Sequence, residues 1–178
     1  MSAPVSIRPA TEADLPAILA IYNEVIANTT AAYVYDAHTL EMRRQWFHDL
    51  KAGGWPVIVA EHGGAVAGFG CIGVFRNKPG YKYCGEHTVH VHTDHRGKGI
   101  GRAVLLALIQ EAERIELRTL IGGIDAENTV SLKLHADLGF IETARMPDVA
   151  WKFGRWLELV FMQLMLPGPS TPREGDRR

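Results

Sequence analysis

Cysteine is scarce in this sequence: Cys71 and Cys84 are the only two in 178 residues. That is too few for a disulfide scaffold, and their spacing is neither CxxC nor CxxH, so both read as reduced, small, buried hydrophobes. Charge of one sign is missing as well. With 19 basic against 20 acidic residues the formal net charge is -1, so no sequence-wide positive field exists to hold a polyanion, and nucleic acid is not an expected partner. No stretch approaches the roughly 20 apolar residues that cross a bilayer, and Met1 to Pro9 has no apolar core behind a basic start. No membrane partner is expected, and the chain reads as cytoplasmic. Internal repeats and low-complexity segments are also lacking.

What is present suits one ordinary domain, since 47% of residues are hydrophobic and the length supports a single core. Residues 1–166 are read as that domain. Residues 167–178, polar and proline-bearing, are read as a disordered tail. Ile7 to Pro9 reads as a short strand. Thr11 with Asp14 caps a helix from Glu12 to Ala27, whose Leu15, Ile18, Leu19, Tyr22 and Ile26 share a face. Thr39 caps a second helix that Gly53 and Gly54 stop. Pro56 to Glu61 and Val66 to Phe75 form a hairpin about His62, Gly63 and Gly64. Glu86 to His92 alternates as a strand, an amphipathic helix follows to Arg114, and Thr119 to Asp125 is a further strand. Ser131 to Leu138 is a short helix closed by Gly139, and Phe140 to Met146 with Leu157 to Leu166 are closing strands. This order predicts an α/β fold with a mixed sheet.

Arg96-Gly97-Lys98-Gly99-Ile100-Gly101 stands between a strand and a helix. Glycines there let the backbone curl and leave N–H groups unpaired at a helix N-terminus, where the macrodipole attracts an anion. Lys98 and Arg102 add positive charge, so a pyrophosphate suits the loop. A GxGxxG fingerprint and a Gly-Lys-Ser/Thr P-loop are both missing. Taken without context, a glycine cluster is equally a plain turn.

The Arg-x-x-Gly-x-Gly stretch resembles the coenzyme A loop of the GNAT acetyltransferases, and Asn128-Thr-Val-Ser131 with Leu134-His135 and Gly139-Phe140 resembles the second signature of that family. Ile21-Tyr22-Asn23, Glu86-His87-Thr88-Val89, His95-Arg96-Gly97-Lys98-Gly99 and Lys152-Phe153-Gly154-Arg155-Trp156 are most similar to its phosphinothricin and methionine sulfoximine N-acetyltransferases. The resemblance implies a single mixed, mostly antiparallel sheet of about seven strands with helices on both faces and a splayed central parallel pair. It implies acetyl-CoA as co-substrate, no metal, a small amino-acid-like acceptor and a homodimer. Val89, His90 and Val91 would meet the acetyl-pantetheine end through backbone groups. Gly97, Lys98, Gly99, Ile100, Gly101 and Arg102 would surround the pyrophosphate, with Asn128 also on the cofactor.

By the same resemblance Glu86 is a general base for the substrate ammonium, or a group that only orients it. An exposed glutamate titrates near 4.3, so burial would have to raise it. His135 stands where a proton donor to the leaving thiolate is expected. Phe75, Arg76, Asn77 and Lys78 match a substrate-contacting stretch, whose cations suit an oxyanion; Phe75 replaces the tryptophan of relatives. His90 and His92 share a strand face, a pair too few for a zinc site. Trp151 to Trp156 reads as a dimer or substrate-rim segment. Two other readings remain open: another acceptor amine, such as a protein N-terminus, a lysine, a polyamine or an aminoglycoside, and a non-catalytic acyl-CoA-binding module.

Overall fold

A computed structural model describes residues 4–171. The chain runs β1 (Val5–Pro9), α1 (Leu15–Asn28), α2 (Leu40–Ala52), β2 (Val57–His62), β3 (Ala65–Val74) and β4 (Cys84–Val91), then α3 (Ile100–Arg114), β5 (Thr119–Asp125), α4 (Thr129–Asp137), β6 (Ile141–Lys152) and β7 (Arg155–Met165). The strands hydrogen-bond in the order β1-β2-β3-β4-β5-β7-β6. Pairing is antiparallel for β1/β2, β2/β3, β5/β7 and β6/β7 and parallel for β4/β5, which is the mixed sheet expected. The parallel ladder has only three register pairs, Cys84 to Thr119, Gly85 to Leu120 and Glu86 to Ile121. Both strands continue past it.

Two compact units divide there. The first takes the chain up to Ile72 together with Thr88–Leu108; the second takes Gly73–His87 and the chain from Ile109. In the first, Leu15, Ile18, Ile21 and Val25 recur at helical spacing and bury one face of α1; Leu15, Ile18 and Ile21 pack with Phe47, Val59 and Phe69, and Val25 packs with Ile26 and Ala32. Helix α1 begins a turn later than the Thr11 pattern predicts, because Glu12–Asp14 forms a 3-10 turn. Asp14 returns a carboxylate bond to the Thr11 amide at 2.8 Å, and Arg8 holds its carboxyl down at about 2. Thr39 caps α2 by accepting from the Met42 amide at 3.2 Å. On β3 the glycines serve packing: a side chain on Gly70 would come within 2.6 Å of Val104 and 2.8 Å of Leu108, so α3 lies directly on the strand.

In the second unit β6 and β7 form a long hairpin. Its turn is Phe153-Gly154, with φ of 50° and 75°, the left-handed pair that two-residue hairpins require. Trp151 and Trp156 face each other across it with rings 5.2 Å apart. Sequence alone broke β6 at Met146, whereas the strand runs to Lys152 because Pro147 and Asp148 are taken up in an irregularity between Met146 and Ala150. A bulge on an edge strand tolerates proline. Of the expected tail, residues 172–178 lie outside the described residues. Residues 167–171 hold no helix or strand, and Gly168 accepts from Arg118 Nη1 at 3.4 Å. Among the described residues no helix is long and apolar enough to cross a membrane.

Candidate active site

Side chains alternate across a strand, so Glu86 and His87, adjacent on β4, point to opposite faces. On the first face Glu86 lies beside Ile121 and Gly123 of β5. A Cβ on Gly123 would stand 3.3 Å from Glu86 Oε1, 3.5 Å from Leu159 and 3.7 Å from Phe161. Phe161 meets Phe75 edge-on at 6.0 Å, and Phe75 meets Tyr81 at 5.9 Å. The carboxyl therefore stands half-buried in apolar and aromatic surroundings, and this desolvation raises its pKa against a smaller lowering by Arg76. The Arg76 guanidinium lies 5.4 Å from the centre of the Phe75 ring. The structure brings Phe75, Arg76 and Glu86 together. Asn77 and Lys78 remain exposed on the turn that follows.

On the opposite face His87 and His135 are both buried, their rings stacked 5.0 Å apart. His135 Nδ1 lies 2.7 Å from the Ser131 carbonyl oxygen. A carbonyl only accepts, so that nitrogen carries the proton, and Nε2 of the neutral ring must accept. Its partner, 3.2 Å away, is His87 Nε2, which donates. His87 Nδ1 is left as a buried acceptor with no partner. Burial lowers both pKa values, His87 to about 3. Sequence reasoning missed His87; its signal was the strand parity that sends it away from Glu86 toward the short helix carrying His135.

In the first unit the glycine loop has the conformation its composition demands. Gly97 and Gly99 take φ of 75° and 78°, and nothing lies within 4 Å of where a Cβ would stand. The loop is open, and only its backbone torsions call for glycine. The Gly99 carbonyl accepts from Ala103 N at 3.0 Å, leaving the Ile100, Gly101 and Arg102 amides as the first turn of α3, where an anion fits. Lys98 Nζ donates to the Asp94 carbonyl at 2.8 Å. Arg96 pairs with Glu24 at 2.8 Å and donates to the Val91 carbonyl at 3.2 Å, joining the loop to the end of β4. Val89 and Val91 are partly exposed.

His90 is instead a core residue, tilted against Phe69 and Tyr22 at 5.4 and 5.7 Å, with its pKa lowered by burial to about 4. His92 accepts from the Asp94 amide at 3.3 Å, so the two histidines do not converge. Asn128, expected on the cofactor, caps α4: its Oδ1 accepts from Ser131 N at 3.1 Å.

A family model described as the acetyltransferase (GNAT) family matches residues 18–140. The chain belongs to the GNAT acetyltransferase family. Within it, the chain is 42% identical to an L-methionine sulfoximine/L-methionine sulfone acetyltransferase of Salmonella typhimurium, over 94% of this chain and 98% of that one. A solved GNAT superfamily phosphinothricin acetyltransferase from Sinorhizobium meliloti, in complex with AcCoA, superposes with a TM-score of 0.92 at 34% identity, covering 98% and 95% of the two chains. A ribosomal-protein-alanine N-acetyltransferase from Brucella melitensis superposes at 0.89 with 46% identity, covering 90% and 99%. All three are acetyltransferases. The GNAT signatures read from sequence fall on the loop before α3 and on α4, within the matched span.

Proposed function

We propose that this protein transfers the acetyl group of acetyl-CoA to the α-amino group of a small amino-acid-like substrate of the methionine sulfoximine, methionine sulfone or phosphinothricin type. The observation that carries the reading is Glu86, a carboxyl half-buried among apolar groups with a raised pKa and an arginine in its field. A desolvated carboxylate is a stronger base toward an ammonium than an exposed one. Acetyl-CoA supplies an activated acetyl thioester and attack by the free amine is direct. Glu86 takes the ammonium proton, directly or through a water. The Gly97–Arg102 segment would hold the pyrophosphate with backbone N–H groups, and the backbone of Val89, His90 and Val91 would hold the acetyl-bearing arm and offer an N–H to its carbonyl oxygen. Asn128 would contribute through the α4 N-terminus that it caps.

Arg76 would bind the acceptor's carboxylate, with Phe75 as a wall and Asn77 and Lys78 at the rim. His135 fits a positioning role better than that of an acid. Its ring is neutral, one nitrogen is committed to Ser131 and the other to His87, and a neutral imidazole is a very weak proton donor. The thiolate's proton then comes from solvent. Residues 1–166 act as one catalytic domain in this reading. A homodimer is part of it too. Residues 141–149 of β6 are exposed throughout, and Trp151, Phe153 and Trp156 at the hairpin tip are exposed as well. Sedimentation showing only monomer at micromolar concentration would remove that element.

The Brucella relative favours a second reading, in which the amine is the N-terminus of a protein. Both acceptors present an α-amine and differ in the neighbouring group, a carboxylate in one and an amide in the other. Thiol release from acetyl-CoA with methionine sulfone and with its amide decides between them. A preference for the free acid that Arg76→Gln abolishes supports the small-molecule reading, and equal rates on acid and amide oppose it.

A further inference from the structure

Strand β5 carries two glycines in succession, and each faces a different group. The register pair of Glu86 with Ile121 closes the parallel ladder, so Gly123, two residues on, is the next β5 position on the Glu86 face. There β5 presents no side chain, although its neighbours Gly122 and Ile124 are buried and Gly123 itself is exposed. Around that position the side chains are apolar: Ile121 is buried, Leu159 and Phe161 stand 3.5 and 3.7 Å from the missing Cβ, and Phe75 meets Phe161 edge-on. The missing Cβ would stand 3.3 Å from Glu86 Oε1, tighter than comfortable van der Waals contact. Backbone strain does not require this glycine, since its φ is not among the positive ones. Alanine is also the better strand residue.

We propose that Gly123 is a positioning residue for the acceptor, whose absent side chain leaves an open approach to the Glu86 carboxylate and lets a primary ammonium, or the water that serves it, reach Oε1. This rests on the reading of Glu86 given above. A methyl at this position occupies the space of an acceptor atom and crowds the carboxylate. One misplaced methyl-sized group in a substrate site costs roughly tenfold or more in discrimination.

The test is steady-state kinetics of Gly123→Ala and Gly123→Ser with methionine sulfone and acetyl-CoA, alongside Glu86→Gln and thermal melts of each. The expected result is an acceptor KM raised about tenfold or more with the acetyl-CoA KM within about twofold of wild type. Serine, carrying the same Cβ, repeats the effect. An unchanged acceptor KM in either folded variant overturns the proposal, and so does a lowered melting temperature with no KM split, which marks Gly123 as a packing residue. Glu86→Gln separates the two layers. If that variant keeps the wild-type rate, the reading of Glu86 has failed; if it is slow while Gly123→Ala retains its acceptor KM, only the role of Gly123 has.

Discussion

Nε2 of His87 donates to Nε2 of His135 across 3.2 Å, inside the protein, with a carbonyl fixing the far nitrogen of the second ring. This contact joins the strand that carries Glu86 to the helix that Asn128 caps. It also commits both rings to the neutral state.

That commitment makes folding sensitive to acid. An unfolded histidine titrates near 6.5, whereas His87 and His90 are held to about 3 and about 4 in the folded protein. Between those values and 6.5 the unfolded chain binds more protons than the native one, so stability falls as pH falls through the window. Each buried histidine costs on the order of 2 kcal/mol by about pH 5. Urea unfolding at about pH 7.5 and about pH 5 checks this; a midpoint that does not drop at the lower pH would show that the pair is not neutral when folded.

Gly122 stands against the same contact. A Cβ there would lie 2.9 Å from His87 Nε2 and 3.1 Å from His135 Nε2, and both rings are buried and cannot swing into solvent. Gly122→Ala is expected to lower stability by about 1–3 kcal/mol, with acceptor KM the lesser change. Thermal melts and kinetics on the same samples read both.

Arg76 opposes the burial that raises the Glu86 pKa. A base works only when deprotonated, so kcat/KM should fall at low pH with an apparent pKa above the ordinary value near 4.3. Removing the charge in Arg76→Gln should move that acid limb to higher pH. A limb that stays in place or moves lower would separate Arg76 from the carboxyl electrostatically.

Gly99 takes a left-handed φ with open space around it. Valine is strained in that region whatever the room available. Gly99→Val should weaken coenzyme A binding by roughly tenfold or more through the lost loop conformation and leave acceptor binding nearly untouched. Isothermal titration with coenzyme A measures it, and wild-type affinity in the folded variant would contradict the placement of the pyrophosphate.

The sheet and its helices were legible because their signals are local. Helix α1 showed its face through Leu15, Ile18 and Ile26, α2 showed its cap at Thr39, and β5 was bounded correctly from Thr119 to Asp125. The full extent of β6 was hidden because a bulge at an edge absorbs the proline that ordinarily ends a strand. At the site, the loop before α3 was readable from its glycines, whereas two partnerships were not. Gly122 and Gly123 are informative only once β4 and β5 are in register. The commitment of His135 to Ser131 and His87 depends on a residue 48 positions away in sequence. Sequence alone does not show which nitrogen of that histidine carries the proton.

The most direct test of the account is thiol release from acetyl-CoA by wild type and Glu86→Gln, with L-methionine sulfoximine and an N-terminal alanine peptide measured side by side. The account predicts that wild type acetylates the free amino acid with a kcat/KM roughly tenfold or more above the peptide, and that Glu86→Gln loses on the order of a hundredfold on the amino acid. No turnover of the amino acid, or a Glu86→Gln variant as fast as wild type, would contradict it.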